Sequence, residues 1–162
     1  LLNCITMVDD VPEKRFILDV HLGRLAKYLR LCGFDSLFSA FFDDREIIEK
    51  AVRESRVILT RDRLLLKSAT AATGYLVKSQ YHDEQLREVF EALRLREHVR
   101  LFSRCITCNA VLEEVKKEEI ADRLLADTKK YFSVFRRCPG CDRIYWEGSH
   151  YDNMKKSLAS LL

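Results

Sequence analysis

VILTRDRLLL (residues 57–66) sets four apolar or β-branched residues, Val57 to Thr60, directly before Arg61 and Asp62. The first part reads as a short buried strand; the charges arrive where that strand runs out. RFILD (15–19) repeats the arrangement, an apolar strand delivering Asp19. DSLFS (35–39) and GYLVK (74–78) are two further strand candidates.

Helical patterns fill the gaps. In HLGRLAKYLRLCG (21–33), Leu22, Leu25, Ala26, Leu29 and Cys32 recur at helical spacing and Gly33 is a natural stop. In DDREIIEKAVRES (43–55), Asp43 and Glu46 have capping-box spacing and Ile47, Ile48, Ala51 and Val52 form the inward face. A short helix is expected around Leu64–Ala69, and an amphipathic one over DEQLREVFEALRL (83–95). Strand alternating with helix predicts an α/β fold with an open, mainly parallel sheet flanked by helices. Right-handed crossovers bring the carboxyl ends of such strands to one edge, where ligands bind. Asp19 and Asp62 are therefore expected near each other.

The chain of 162 residues is 48% hydrophobic, enough for a core, and its net charge of +3 permits nucleic acid as a partner without indicating it. No apolar run approaches the ~20 residues of a membrane span, so no membrane partner is expected. LLNCITMVDD lacks a basic start and carries Asp9 and Asp10, which does not fit a secretory signal. Of the six cysteines, Cys32 lies in an apolar helix pattern and reads as a buried, inert thiol. Four others form two CxxC pairs, Cys105/Cys108 and Cys138/Cys141. Two such turns satisfy a tetrahedral zinc ion completely, leaving no open position, so one structural zinc per chain is expected in place of redox chemistry. The gap of 29 residues between the pairs is long for a ribbon, but loop length costs little. His150 is a lesser ligand candidate. Near the end, YDNMKKSLASLL (151–162) reads as a closing helix.

Asp19, Asp62 and Asp44, at the start of the second helix, suggest a carboxylate cluster for Mg²⁺ or Mn²⁺. Carboxylates drawn together repel, and a divalent cation relieves the repulsion. The competing reading is helix capping and surface charge, which fits Asp43 best. Arg24, Lys27 and Arg30 fall opposite the first helix's apolar stripe. With Arg61, and with Arg136 and Arg137 near the cysteines, they are candidate RNA-binding cations. Most of Phe132, Phe135, Tyr145, Trp146 and Tyr151 are expected to serve the core of the small C-terminal unit.

RFILDVHLGRLAKYLRLCGFD, DDREIIEKA, RVILTRDRLL, SRCITCNAVL and CPGCDRIYWEGSHYDNM together resemble the Mut-seven C-terminal RNase domain family over roughly residues 15–155. The resemblance implies a PIN-like nuclease domain with a C-terminal zinc ribbon. It divides the chain into a tail (1–14), a nuclease domain (15–100) and a ribbon with closing helix (101–162). It implies a cytoplasmic, metal-dependent RNase in which a water attacks RNA in line, leaving 5′-phosphate and 3′-hydroxyl ends. Asp19, Asp44 and Asp62 match the family's acids. Leu64 stands where related PIN-like families carry a further Asp, so Asp83 is the candidate fourth acid. PIN-like domains commonly pair, which makes a homodimer one expectation. LLNCITMVDDVP fits the tail of an upstream ubiquitin-like domain. A non-catalytic RNA-binding or protein-docking adaptor of the same fold is the alternative.

Overall fold

A computed structural model describes residues 14–159. Most of the N-terminal tail, Cys4 included, and the suggested continuity with a ubiquitin-like domain lie outside the described residues.

The first strand, β1 (Arg15–Leu18), leads through a 3-10 turn into α1 (Gly23–Leu31). Next come β2 (Asp35–Phe38), α2 (Asp44–Glu54), β3 (Val57–Thr60) and α3 (Arg63–Ser68), then β4 (Gly74–Leu76) and α4 (His82–Ala92). The strands are all parallel, in the order β2-β1-β3-β4. The chain reverses its direction of winding between β1 and β3, which is the topological switch point of an open α/β sheet.

Both sheet faces are covered, which is why the strands read as unbroken apolar runs instead of alternating. Phe16, Leu18 and Leu59 join Leu25, Leu29, Val89 and Phe90 on the face covered by α1 and α4. Ile17 and Ile58 point the other way, onto Ile47, Ala51 and Leu65 of α2 and α3. The expected capping box at α2 is present: Asp43 accepts from the Glu46 N–H at 2.8 Å, and the Glu46 side chain reaches back to the Asp43 N–H. Gly33 ends α1 with φ +93°, and a Cβ there would lie 2.4 Å from the Arg100 carbonyl oxygen. No L side chain suits that backbone, and no Cβ fits the space.

After α4 the chain changes architecture. The segment between the CxxC pairs, charged and only weakly periodic in sequence, forms β5 (Glu113–Val115), a 3-10 stretch (Lys117–Arg123) and α5 (Ala126–Tyr131). With β6 (Phe135–Arg137) and β7 (Ile144–Tyr145), β5 makes an antiparallel sheet, and α6 (Ser149–Leu158) closes the fold. The core runs across residue 100: Phe102, Tyr151 and Leu158 share one cluster with Phe16 and Phe90.

The first CxxC loop docks on the amino-terminal edge of the parallel sheet. Arg30 corrects an expectation here. Its helical spacing predicts a solvated, RNA-facing position, yet it is 5% exposed. Its guanidinium donates to the carbonyls of Ser36 at 2.8 Å, Ile106 at 3.2 Å and Thr107 at 2.8 Å. A guanidinium that lies beyond its helix's apolar stripe can still be buried when another unit supplies carbonyl acceptors. Asn109 adds a second tie. Its side chain accepts from the Ser36 N–H at 3.0 Å and donates to Asp35 at 2.7 Å, and Arg56 holds the same Asp35 oxygen at 2.7 Å.

Candidate active site and metal centre

The four candidate acids each follow a different parallel strand. Asp44 comes after β2, Asp19 after β1, Asp62 after β3 and Asp83 after β4, so in strand order they run 44, 19, 62, 83 along the carboxyl edge.

Asp19 is the most constrained of them, 5% exposed at the end of β1. Its Oδ1 accepts from the His21 N–H at 2.8 Å; its Oδ2 accepts from the Arg61 N–H at 3.1 Å and from the Thr60 hydroxyl. An ionised carboxylate offers about four lone-pair sites. Three are taken here, and the His21 ring stands beside Oδ1 with its Nδ1 3.4 Å away. Asp62 caps α3 by accepting from the Leu64 N–H at 2.7 Å, and its own N–H donates to the Thr60 hydroxyl oxygen at 2.8 Å. One buried hydroxyl therefore ties Asp19 to Asp62 across the switch point. Thr60 has no place in the sequence-derived site. Its polar side chain closing an apolar strand, just before the two charges, was the available signal.

Asp44 stands exposed in the first turn of α2, beside the capping Asp43. Asp83 lies in the first turn of α4, close enough to Arg24 to act on it electrostatically. Among the described residues, the carboxylates do not gather three ligand atoms within 4.8 Å of one another; the four cysteines alone do. Arg24, Lys27 and Arg61 are exposed.

The cysteines build two matching turns. The Asn109 N–H donates to the Cys105 carbonyl and the Asp142 N–H to the Cys138 carbonyl, each at 2.9 Å. Asn109 and Asp142 both take the left-handed backbone, at φ 74° and 60°. In each turn the second cysteine's N–H points at the first one's sulfur, 3.4 Å away for both Cys108 to Cys105 and Cys141 to Cys138. Between turns, the Sγ atoms of Cys108 and Cys138 are 3.3 Å apart and those of Cys105 and Cys141 3.5 Å. Those separations exclude a disulfide and approach the about 3.8 Å edge of a tetrahedron with ~2.3 Å zinc–sulfur bonds. Burial acts to raise the pKa of Cys105. The Tyr145 hydroxyl, 3.0 Å from its sulfur, and the Cys108 and Thr107 N–H groups outweigh burial and lower it, whereas burial and the neighbouring sulfurs push Cys108 and Cys141 up, so Cys105 is the sulfur of the group that most readily carries the thiolate. The donor set fits a zinc ion. His150 is exposed and outside this group. Cys32 behaves as the sequence suggests: buried, free, and pushed up to about 12 by burial.

Of the ribbon cations, Arg136 spends one nitrogen on the Phe102 carbonyl at 2.7 Å and lies 5.5 Å over the Phe102 ring. Arg137 is exposed and paired with Asp142. Phe135 and Tyr151 are buried, and Phe132, Tyr145 and Trp146 are partly buried against the C-terminal clusters, so the aromatics serve mainly as core.

A parallel α/β sheet with acids along its carboxyl edge and a Cys₄ zinc-ribbon unit packed on its other edge defines the class of protein. The chain matches the Mut7-C RNAse domain family over residues 14–158, and it belongs to that family. No curated protein and no solved structure matches it. Membership in an RNase domain family gives the chain a ribonuclease-type function and RNA as substrate. No helix among the described residues is long and apolar enough to cross a membrane.

Proposed function

We propose that this chain is a metal-dependent ribonuclease that hydrolyses RNA phosphodiester bonds at the carboxyl edge of its parallel sheet. The observation that carries the reading is the shared Thr60 hydroxyl, which locks Asp19 and Asp62 together at the switch point. The hydroxyl donates to the Asp19 carboxylate and accepts from the Asp62 backbone N–H, so it fixes the turn that carries Asp62 beside the end of β1; acids brought to neighbouring strand ends of an open parallel sheet stand where such folds bind ligands.

Asp19, Asp44 and Asp62 are the residues that would hold Mg²⁺ or Mn²⁺, with Asp83 as a fourth acid. These hard ions take oxygen ligands and keep waters and substrate phosphate in their shells, so acids spread along an edge suit them. Such an ion, when bound, supplies charge neutralisation for the phosphodiester and a more acidic water. The chain's own groups do the positioning. Three donors hold Asp19 in one rotamer, with the exposed His21 ring beside its Oδ1. Arg24, Lys27 and Arg61 stand around this edge to seat phosphates, and Arg137 is the ribbon's exposed contribution. The ribbon zinc is structural. Two CxxC pairs used as zinc ligands and a buried single thiol at Cys32 fit a reducing, cytoplasmic setting.

The test is cleavage of an end-labelled single-stranded RNA by the full chain with Mn²⁺. Asp62→Asn and Asp19→Asn are expected to lower the rate about 100-fold or more, and EDTA to abolish it. Cleavage that persists in EDTA, or in both variants, refutes the mechanism.

A further inference from the structure

The edge that carries the acids also carries four apolar side chains with nothing packed on them. Val20 is 47% exposed, Phe41 93%, Leu64 68% and Tyr81 72%. Each follows a different parallel strand within a few residues: Phe41 after β2, Val20 in the 3-10 turn after β1, Leu64 in the first turn of α3 after β3 and Tyr81 after β4. Each strand-to-helix connection of this edge therefore brings one acid and one exposed apolar group within a few residues of each other. A scattered exposed apolar residue is ordinary; a row of four along a functional edge is not.

The two aromatics occupy the ends of the row and are presented alike. The Phe41 N–H donates to the Ser39 hydroxyl at 3.2 Å, and the Tyr81 N–H donates to the Ser79 hydroxyl at 3.1 Å. In the first loop the neighbouring Phe42 turns inward onto the α2 and α3 face, while Phe41 is left outside. The outer strands lie three spacings apart, about 14 Å. In strand order, cations fall between the two aromatics: Arg24 in the first turn of α1, after β1, and Arg61 and Arg63 on either side of Asp62, after β3.

Aromatic faces alternating with cations are the pattern by which proteins hold unpaired nucleic acid, the rings taking bases and the cations the backbone. In an A-form duplex the bases are stacked within the helix and out of a ring's reach. Resting on the ribonuclease reading above, we propose that Phe41 and Tyr81 are stacking residues that clamp unpaired nucleotides on either side of the acidic crevice, and so restrict the substrate to single-stranded RNA. Val20 and Leu64 floor the interval between the rings.

Binding without turnover tests this separately from catalysis. Zinc-loaded full chain, with Mg²⁺ and Mn²⁺ withheld so that RNA is bound without turnover, is titrated by fluorescence anisotropy against labelled single-stranded oligoadenylate, the same strand annealed to its complement, and an abasic strand of equal length. Phe41→Ser and Tyr81→Ser are each expected to weaken single-strand binding about 10-fold, with Phe41→Tyr and Tyr81→Phe near wild type. Duplex and abasic strands should bind weakly and respond to none of these changes. Both positions are exposed, so the fold survives them, and circular dichroism checks this. Equal affinity for abasic and base-bearing strands overturns the clamp. So does a wild-type dimer in light scattering that Phe41→Ser converts to monomer at unchanged RNA affinity, which would assign the row to self-association. Failure of cleavage with the binding pattern intact would count against the nuclease reading alone.

Discussion

Thr60 does more than close a strand. It is fully buried, it donates to Asp19, and it accepts from the Asp62 N–H. Valine has nearly the same shape and neither function. Thr60→Val would leave Asp19 one donor short and the Asp62 N–H without its acceptor, at a stability cost of about 1–3 kcal/mol. Loss of such an orienting partner should lower cleavage about 10–100-fold, while Thr60→Ser, which keeps the hydroxyl, should stay close to wild type. Steady-state cleavage rates beside urea melts of the two variants separate these effects; a Thr60→Val enzyme of undiminished rate would show the tie to be structural only. The strand-end positions of Asp19 and Asp62 were legible in sequence because a carboxylate just after an apolar run is conspicuous. Thr60 was not, because a β-branched residue is what a strand would carry anyway, and only the fold reveals that its hydroxyl joins the carboxylate of Asp19, 41 residues away, to the backbone N–H of Asp62, two residues on.

At the scale of elements, helix α2 separates two adjacent aspartates by role. Asp43 is the N-cap, its carboxylate bonded to the Glu46 N–H, whereas Asp44 is a first-turn acid exposed to solvent. Asp43→Ala should destabilise the protein by about 1 kcal/mol and leave cleavage unaltered once folding is matched. Asp44→Asn should melt close to wild type and lose activity. Thermal melts paired with Mn²⁺-dependent cleavage decide between the two aspartates, and a reversed pattern would move the acid site by one residue. Helices α1, α2 and α4 were readable to within a few residues, since each has an apolar stripe of helical period and a local start or stop signal. The parallel strands were readable as buried runs. Arg30 was not, since its acceptors, the Ile106 and Thr107 carbonyls, lie more than 70 residues along the chain. Helical spacing puts a residue on a helix face; it does not say what arrives to cover that face.

For the whole molecule, the consequence is that the zinc turn and the parallel sheet share one set of bonds. Arg30 leaves α1 and satisfies its charge on the two carbonyls that lie between Cys105 and Cys108. Asn109, the residue after Cys108, fastens the start of β2 through Ser36 and Asp35. Those carbonyls hold their orientation only while the CxxC loop is closed, and closing four thiolates on one another requires the cation. Zinc removal should therefore strand a buried guanidinium in the sheet's edge, so that the sheet loosens together with the ribbon. Urea denaturation of reduced full chain, followed by helical circular dichroism before and after a strong chelator, should show a single transition moved to lower urea. The same experiment on Arg30→Met isolates the coupling, because methionine fills the space without a charge to abandon. The loss of stability on chelation should be smaller in Arg30→Met than in wild type by about 1.5–3 kcal/mol, the worth of hydrogen bonds to a charged group. Equal losses in both proteins would mean that the ribbon unfolds by itself and that the sheet, with its acidic edge, stands without it.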